Sequence, residues 1–105
     1  MSARRLAVRF SRDADRDMAS IALHTRRTWG EEQQLSYEAA IFQVLDMLSQ
    51  HPQAGRPRDD LFPGCRSIQA EHHVIYYYQS QTDIVAVRIL HSRQDASAAV
   101  IDPGS

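Results

Sequence analysis

Apolar and polar residues alternate from the start of the chain: Leu6, Val8 and Phe10 are interleaved with Ala7, Arg9 and Ser11. That period of two predicts a strand with one buried face. Ser11 then offers an N-cap, and Asp13, Asp15 and Asp17 put negative charge where a helix dipole favours it. Ala14, Met18, Ile21, Ala22, Thr25 and Trp29 recur at helical spacing, and Gly30 supplies a residue that commonly ends a helix. The first helix is expected over about 12–29. A second stripe, Tyr37, Ile41, Val44, Leu45 and Leu48, flanked by Phe42 and Met47, runs to "HPQAGRPR", where Pro52 and Gly55 stop it. Two helices hinged at one glycine predict an antiparallel hairpin over about 12–51.

The loop that follows holds three of the four prolines and closes on "FPG". Beyond it the pattern returns to period two. Strands are expected at about 65–70, 72–79 and 83–91, joined by short turns and therefore paired antiparallel. The tail, about 96–105, reads as one weak helical turn and a frayed end. The order strand, helix, helix, strand, strand, strand predicts one two-layer α+β domain over positions 1–105: an antiparallel sheet, joined by the first strand, with the helical hairpin on one face.

Composition narrows the chemistry. The chain has 105 residues, enough to bury one core but not two. Its net charge is −1, with seven Arg against seven acids through Pro52 and five against six after it, so no basic stripe announces nucleic acid. All twelve basic residues are Arg, which excludes a Schiff base or a lysine general base. One cysteine, Cys65, forms no internal disulfide and reads as a buried small hydrophobe. With neither a signal-peptide core at the start nor a run of about 20 apolar residues, the expected home is the reducing cytoplasm.

Metal and cofactor sites are not expected. His72 and His73 are adjacent on a predicted strand and should point to opposite faces, and the histidines lack metal-ligand spacing. Ser67 lies in no nucleophile elbow. Trp29 is expected in the core against the hairpin turn, and Tyr76 and Tyr78 are expected to share a sheet face opposite Tyr77. Most of the remaining interest lies in Arg66, His73, Arg88, His91 and Arg93, on or just beyond the paired strands. By parity Arg88 faces with Ile84, Ala86 and Leu90, and His91 with Val85, Val87 and Ile89. A composite acid–base site and a solvated edge with ion pairs such as Arg93 with Asp95 are both open on residue types alone.

The segment from Phe10 to Asp95 resembles the ParE toxins of the ParE/RelE toxin–antitoxin superfamily, the plasmid stabilisation toxins. The resemblance is carried by Ala14, Asp17 and Ile21 in the first helix, Trp29–Gly30, the "HPQAGRPRD" loop, "PGCRS", the "HHVIYY" run and "RILHSRQD", in that order and spacing. It implies the same fold of helical hairpin against antiparallel sheet. It also implies a toxin that traps DNA gyrase on cleaved DNA and is neutralised by a cognate ParD-like antitoxin, hence a binder of an enzyme with no catalytic residue of its own. Relatives of the RelE type are instead ribosome-dependent mRNA endoribonucleases. This chain departs from them in having no lysine and no Tyr after Arg93. A relic that only binds antitoxin is the third alternative. On the gyrase reading, Arg66, Arg88, His91 and Arg93 are expected in target contact or toxicity. Trp29, Tyr37 and Ile41 are expected in the antitoxin groove, where a disordered antitoxin segment folds as a helix and a strand.

Overall fold

A computed structural model describes residues 5–99, 101 and 103. Strand β1 (Ala7–Phe10) leads into α1 (Arg12–Trp29) and α2 (Glu31–Gln50). A two-residue strand β2 (Arg56–Pro57) precedes β3 (Arg66–Ala70), β4 (His73–Gln79) and β5 (Asp83–His91). The sheet runs in the order β1-β5-β4-β3-β2 with both helices on one face.

Two features differ from the sequence expectation. The sheet is mixed, because β1 lies parallel to β5, Ala7 opposite Asp83 and Phe10 opposite Ala86. A chain that leaves β1 through a helical hairpin and returns by a long crossover can lay the two strands in the same direction. The proline-containing loop also contributes an edge strand, Arg56 opposite Ser67 and Pro57 opposite Arg66. Proline is tolerated there because an outermost strand need not donate to a further neighbour.

Ser11 fixes where α1 begins. Its hydroxyl oxygen accepts from the Ala14 N–H at 3.0 Å and its O–H donates to the Val87 carbonyl at 2.7 Å, so one side chain caps the helix and holds it to β5. Gly30 is both the end of α1 and the start of α2, at φ 97°, a conformation that side chains other than glycine rarely adopt. The buried stripes of the two helices, Ala14, Met18 and Ile21 with Ile41, Leu45 and Leu48, meet Ile75, Tyr77, Ile84, Ala86 and Ile89 of the sheet in one core.

The opposite face of the sheet is covered as well. Cys65, Tyr76 and Leu90 pack there beneath Leu61 and Phe62 of the loop and Ala96, Ala99 and Ile101 of the tail. The start of the tail is therefore docked, with Ala96 buried. Of the stretch expected to fray, positions 100, 102, 104 and 105 lie outside the described residues. Cys65 is a buried thiol, and loss of hydration pushes its pKa up to about 11.

Gly55 sits where nothing larger fits. Its N–H donates to Tyr77 Oη at 2.9 Å, and a Cβ there would lie 2.5 Å from that oxygen. Tyr77 is fully buried and donates in turn to the Pro52 carbonyl at 2.9 Å, which ties the loop to the core.

Candidate functional site

Between Tyr76 and Tyr77 the ladder shifts: Tyr76 opposes Arg88, while Tyr77 opposes Ala86. Val87 is the extra residue of a β-bulge, and it resets the alternation of β5. The parity expected from sequence is thereby corrected. Ile84 and Ala86 face the helices, but beyond the bulge Ile89 takes that face beside Ile75, and His91 follows it opposite His73. Arg88 leaves the face of Ile84 and Ala86 and stands at the edge of β5 that β1 no longer covers.

That open edge is completed by α1. The Asp17 carboxylate accepts from Arg88 Nε at 2.8 Å and Nη2 at 3.0 Å, and from the Ile89 N–H at 2.8 Å. Arg88 Nη1 also donates to the Ala99 carbonyl at 3.2 Å. Asp17 therefore satisfies a strand donor that has no strand neighbour and raises the Arg88 pKa further. Arg88 thus serves as the joint between first helix, last strand and tail. Arg66 is braced too, donating to the Gly55 carbonyl at 2.6 Å and the Gln53 carbonyl at 3.3 Å.

His91 and Arg93, by contrast, are exposed at the end of β5. His91 Nδ1 accepts the Arg93 N–H at 3.1 Å, which fixes the turn. No ion pair joins Arg93 to Asp95 among the described residues; Asp95 accepts instead from the Ser97 N–H and hydroxyl, which hold its pKa below the usual carboxylate range. Of the four residues expected to act together, the structure brings His91 and Arg93 into one exposed corner and commits Arg66 and Arg88 to internal carbonyls and carboxylate.

Beside that corner lies a groove the sequence did not disclose. Tyr37 Oη sits 2.6 Å from His73 Nδ1 and accepts the His72 N–H at 3.0 Å, clamping α2 to the β3–β4 turn. The rings of His73 and His91 meet edge to face at 5.4 Å. Burial is the main force lowering the His73 pKa, with His91 next. Burial likewise raises that of Tyr37, against the His72 N–H. His72 is not on a strand: Glu71, at φ 56°, and His72 form the tight turn, and both neighbouring histidines line this groove. Trp29 is not in the core. It is 71% exposed and lines the same groove, because α1 ends before its last aromatic reaches the sheet. Ile41 is fully buried and supports the hairpin from within, so only Trp29 and Tyr37 of that trio offer surface.

A second, more apolar groove of about 1010 Å³ runs between β1 and α2, lined by Val8, Phe10, Ala39 and Phe42. The rings of Phe10 and Phe42 stack at 6.1 Å, and Phe42 stays 50% exposed. Among the described residues the outer edge of β1 is unpaired beside it, a strand edge that a partner can extend.

A family model described as "ParE toxin of type II toxin-antitoxin system, parDE" matches residues 8–96. The chain is 30% identical over 90 residues to Toxin ParE1 of Caulobacter vibrioides, covering 86% of this chain and 93% of that relative. To Toxin ParE of Escherichia coli it is 30% identical over 91 residues, covering 86% and 88%. A solved structure described as "Chromosomal ParDE TA system from P. aeruginosa" has the same fold, with a TM-score of 0.71 at 22% identity over 84% of this chain and 97% of that one. The chain belongs to the ParE toxin family of type II toxin–antitoxin systems.

Proposed function

We propose that this toxin acts in the cytoplasm, inhibiting DNA gyrase by trapping it on cleaved DNA as a binder of the enzyme and not as a catalyst, and that a ParD-like antitoxin neutralises it. Membership of the ParE family over residues 8–96 carries the reading. The exposed corner of His91 and Arg93 is the target-contacting surface. Arg88 and Arg66 contribute by holding β5 and the loop behind that corner. The antitoxin segment covers the apolar groove of Val8, Phe10 and Phe42, with a strand on the edge of β1, and reaches Trp29 and Tyr37 on the other side of the hairpin.

Expression of the chain alone in a bacterial host tests this. Growth should stop with a DNA-damage response, and co-expression of the product of the adjacent gene should restore it. Arg93→Ala should abolish the arrest while binding of the antitoxin is retained; full toxicity of that variant would remove Arg93 from the target surface. Arrest with cut mRNA and no DNA damage would favour the endoribonuclease reading instead.

A further inference from the structure

Four of the five histidines, His24, His72, His73 and His91, line the groove of about 470 Å³ between the end of α1, α2, the β3–β4 turn and the end of β5. A hydrogen bond fixes the tautomer of His91, and another bears on that of His73. Tyr37 Oη accepts the His72 N–H and lies 2.6 Å from His73 Nδ1; where the phenol donates its proton there, His73 Nδ1 is the acceptor. His91 Nδ1 accepts from the Arg93 N–H. In neutral His91 the remaining proton is therefore on Nε2, as it is in His73 when Tyr37 donates, and neither Nε2 has a protein partner among the described residues.

A metal ion would need the lone pairs that these protons occupy, and among the described residues no group of three His, Cys, Asp or Glu is placed to hold one. An anion needs donors. We propose that this groove binds an oxyanion, a phosphate or carboxylate group, on the Nε2 edges of His73 and His91 beside Trp29. The groups facing the site are His24 from α1, Tyr37 from α2, His72 from the turn and His91 from β5, with Glu71 the one acid lining the groove; protonation of an imidazole supplies the positive charge that offsets that carboxylate. Asp17, further along α1, has its carboxylate committed to Arg88 and the Ile89 N–H. An oxyanion and a proton on the imidazoles favour each other, against the burial that lowers the His73 pKa and the Arg93 N–H on His91 Nδ1. Affinity rises by up to about tenfold per pH unit for each proton taken up with the anion. The site shares His91 with the corner assigned above to target contact, so its test reads ligand binding directly and not growth arrest.

The test is an NMR titration of the full chain with inorganic phosphate at constant ionic strength, at pH 7.5 and 6.0, following the histidine ring signals and the Trp29 indole. A parallel titration uses acetate. Saturable shifts confined to His73, His91 and Trp29 are expected, with a dissociation constant at least about threefold lower at the acid pH. His91→Ala, at an exposed position where the loss to the fold is confined to the turn at Arg93, should weaken binding about fivefold, the effect of roughly one lost hydrogen bond. Saturation by phosphate alone assigns a phosphoryl group, and saturation by acetate as well assigns a carboxylate. Shifts that chloride reproduces, that fail to saturate or that survive His91→Ala unchanged would overturn the site.

Discussion

Asp17→Ala removes the acceptor of three hydrogen bonds at once, two from Arg88 and one from the Ile89 N–H. The pair is largely buried, with side-chain exposures of 20% for Arg88 and 15% for Asp17. Breaking a fully buried pair costs about 3–5 kcal/mol, because the surviving charge loses its partner and is only partly rehydrated. The residual exposure here places the expected loss near the lower end, about 3 kcal/mol. For a domain of this size that corresponds to a fall in Tm of about 10–25 °C. Arg88→Ala should cost less, since Asp17 keeps the Ile89 N–H. In a double-mutant cycle read by urea unfolding, the two losses should fall short of additivity by more than about 1 kcal/mol. Additive losses, each under about 0.5 kcal/mol, would refute the claim that Asp17 closes the edge of β5. The cycle also separates two meanings of a non-toxic Arg88 variant, since a folding defect would appear here before any target was involved.

Gly55→Ala should cost about 1–3 kcal/mol in chemical denaturation, because its Cβ meets the buried Tyr77 hydroxyl; an unchanged midpoint would show that the loop yields freely. His73 has its pKa lowered from 6.5 by burial, so the unfolded chain binds the proton first. Its contribution to stability is complete above about pH 6.5 and is lost as pH falls through that value towards the lower folded pKa. His73→Gln should therefore flatten the stability profile between pH 7 and 5.5, and an unaltered slope would count against the clamp at Tyr37.

Helix limits and the hairpin at Gly30 were legible in the sequence because caps, charges and apolar stripes agree there. Tyr76 and Tyr78 do share a face opposite Tyr77, one packing over Cys65 and the other against Phe62. The direction of β1 was not legible, since alternation marks a strand without naming its neighbour. Nor was the bulge at Val87: "IVAVRIL" is apolar on both faces and shows no break when one residue is added. Asp17 and Arg88 are 71 positions apart, and their pairing is a product of the crossover. One local signal did exist, an acid among Ala14, Met18 and Ile21 on a helix whose other acids lie in its first turn. Trp29 was misplaced because helical spacing continues its stripe past the last turn that the sheet can cover.

Plasmid supercoiling by purified gyrase with ATP, in the presence of this toxin freed of its antitoxin, bears most directly on the central claim. Detergent and protease are added afterwards to expose cleaved DNA. Loss of supercoiling together with linear plasmid is the predicted result. Undiminished supercoiling by a toxin preparation that still arrests growth would contradict it.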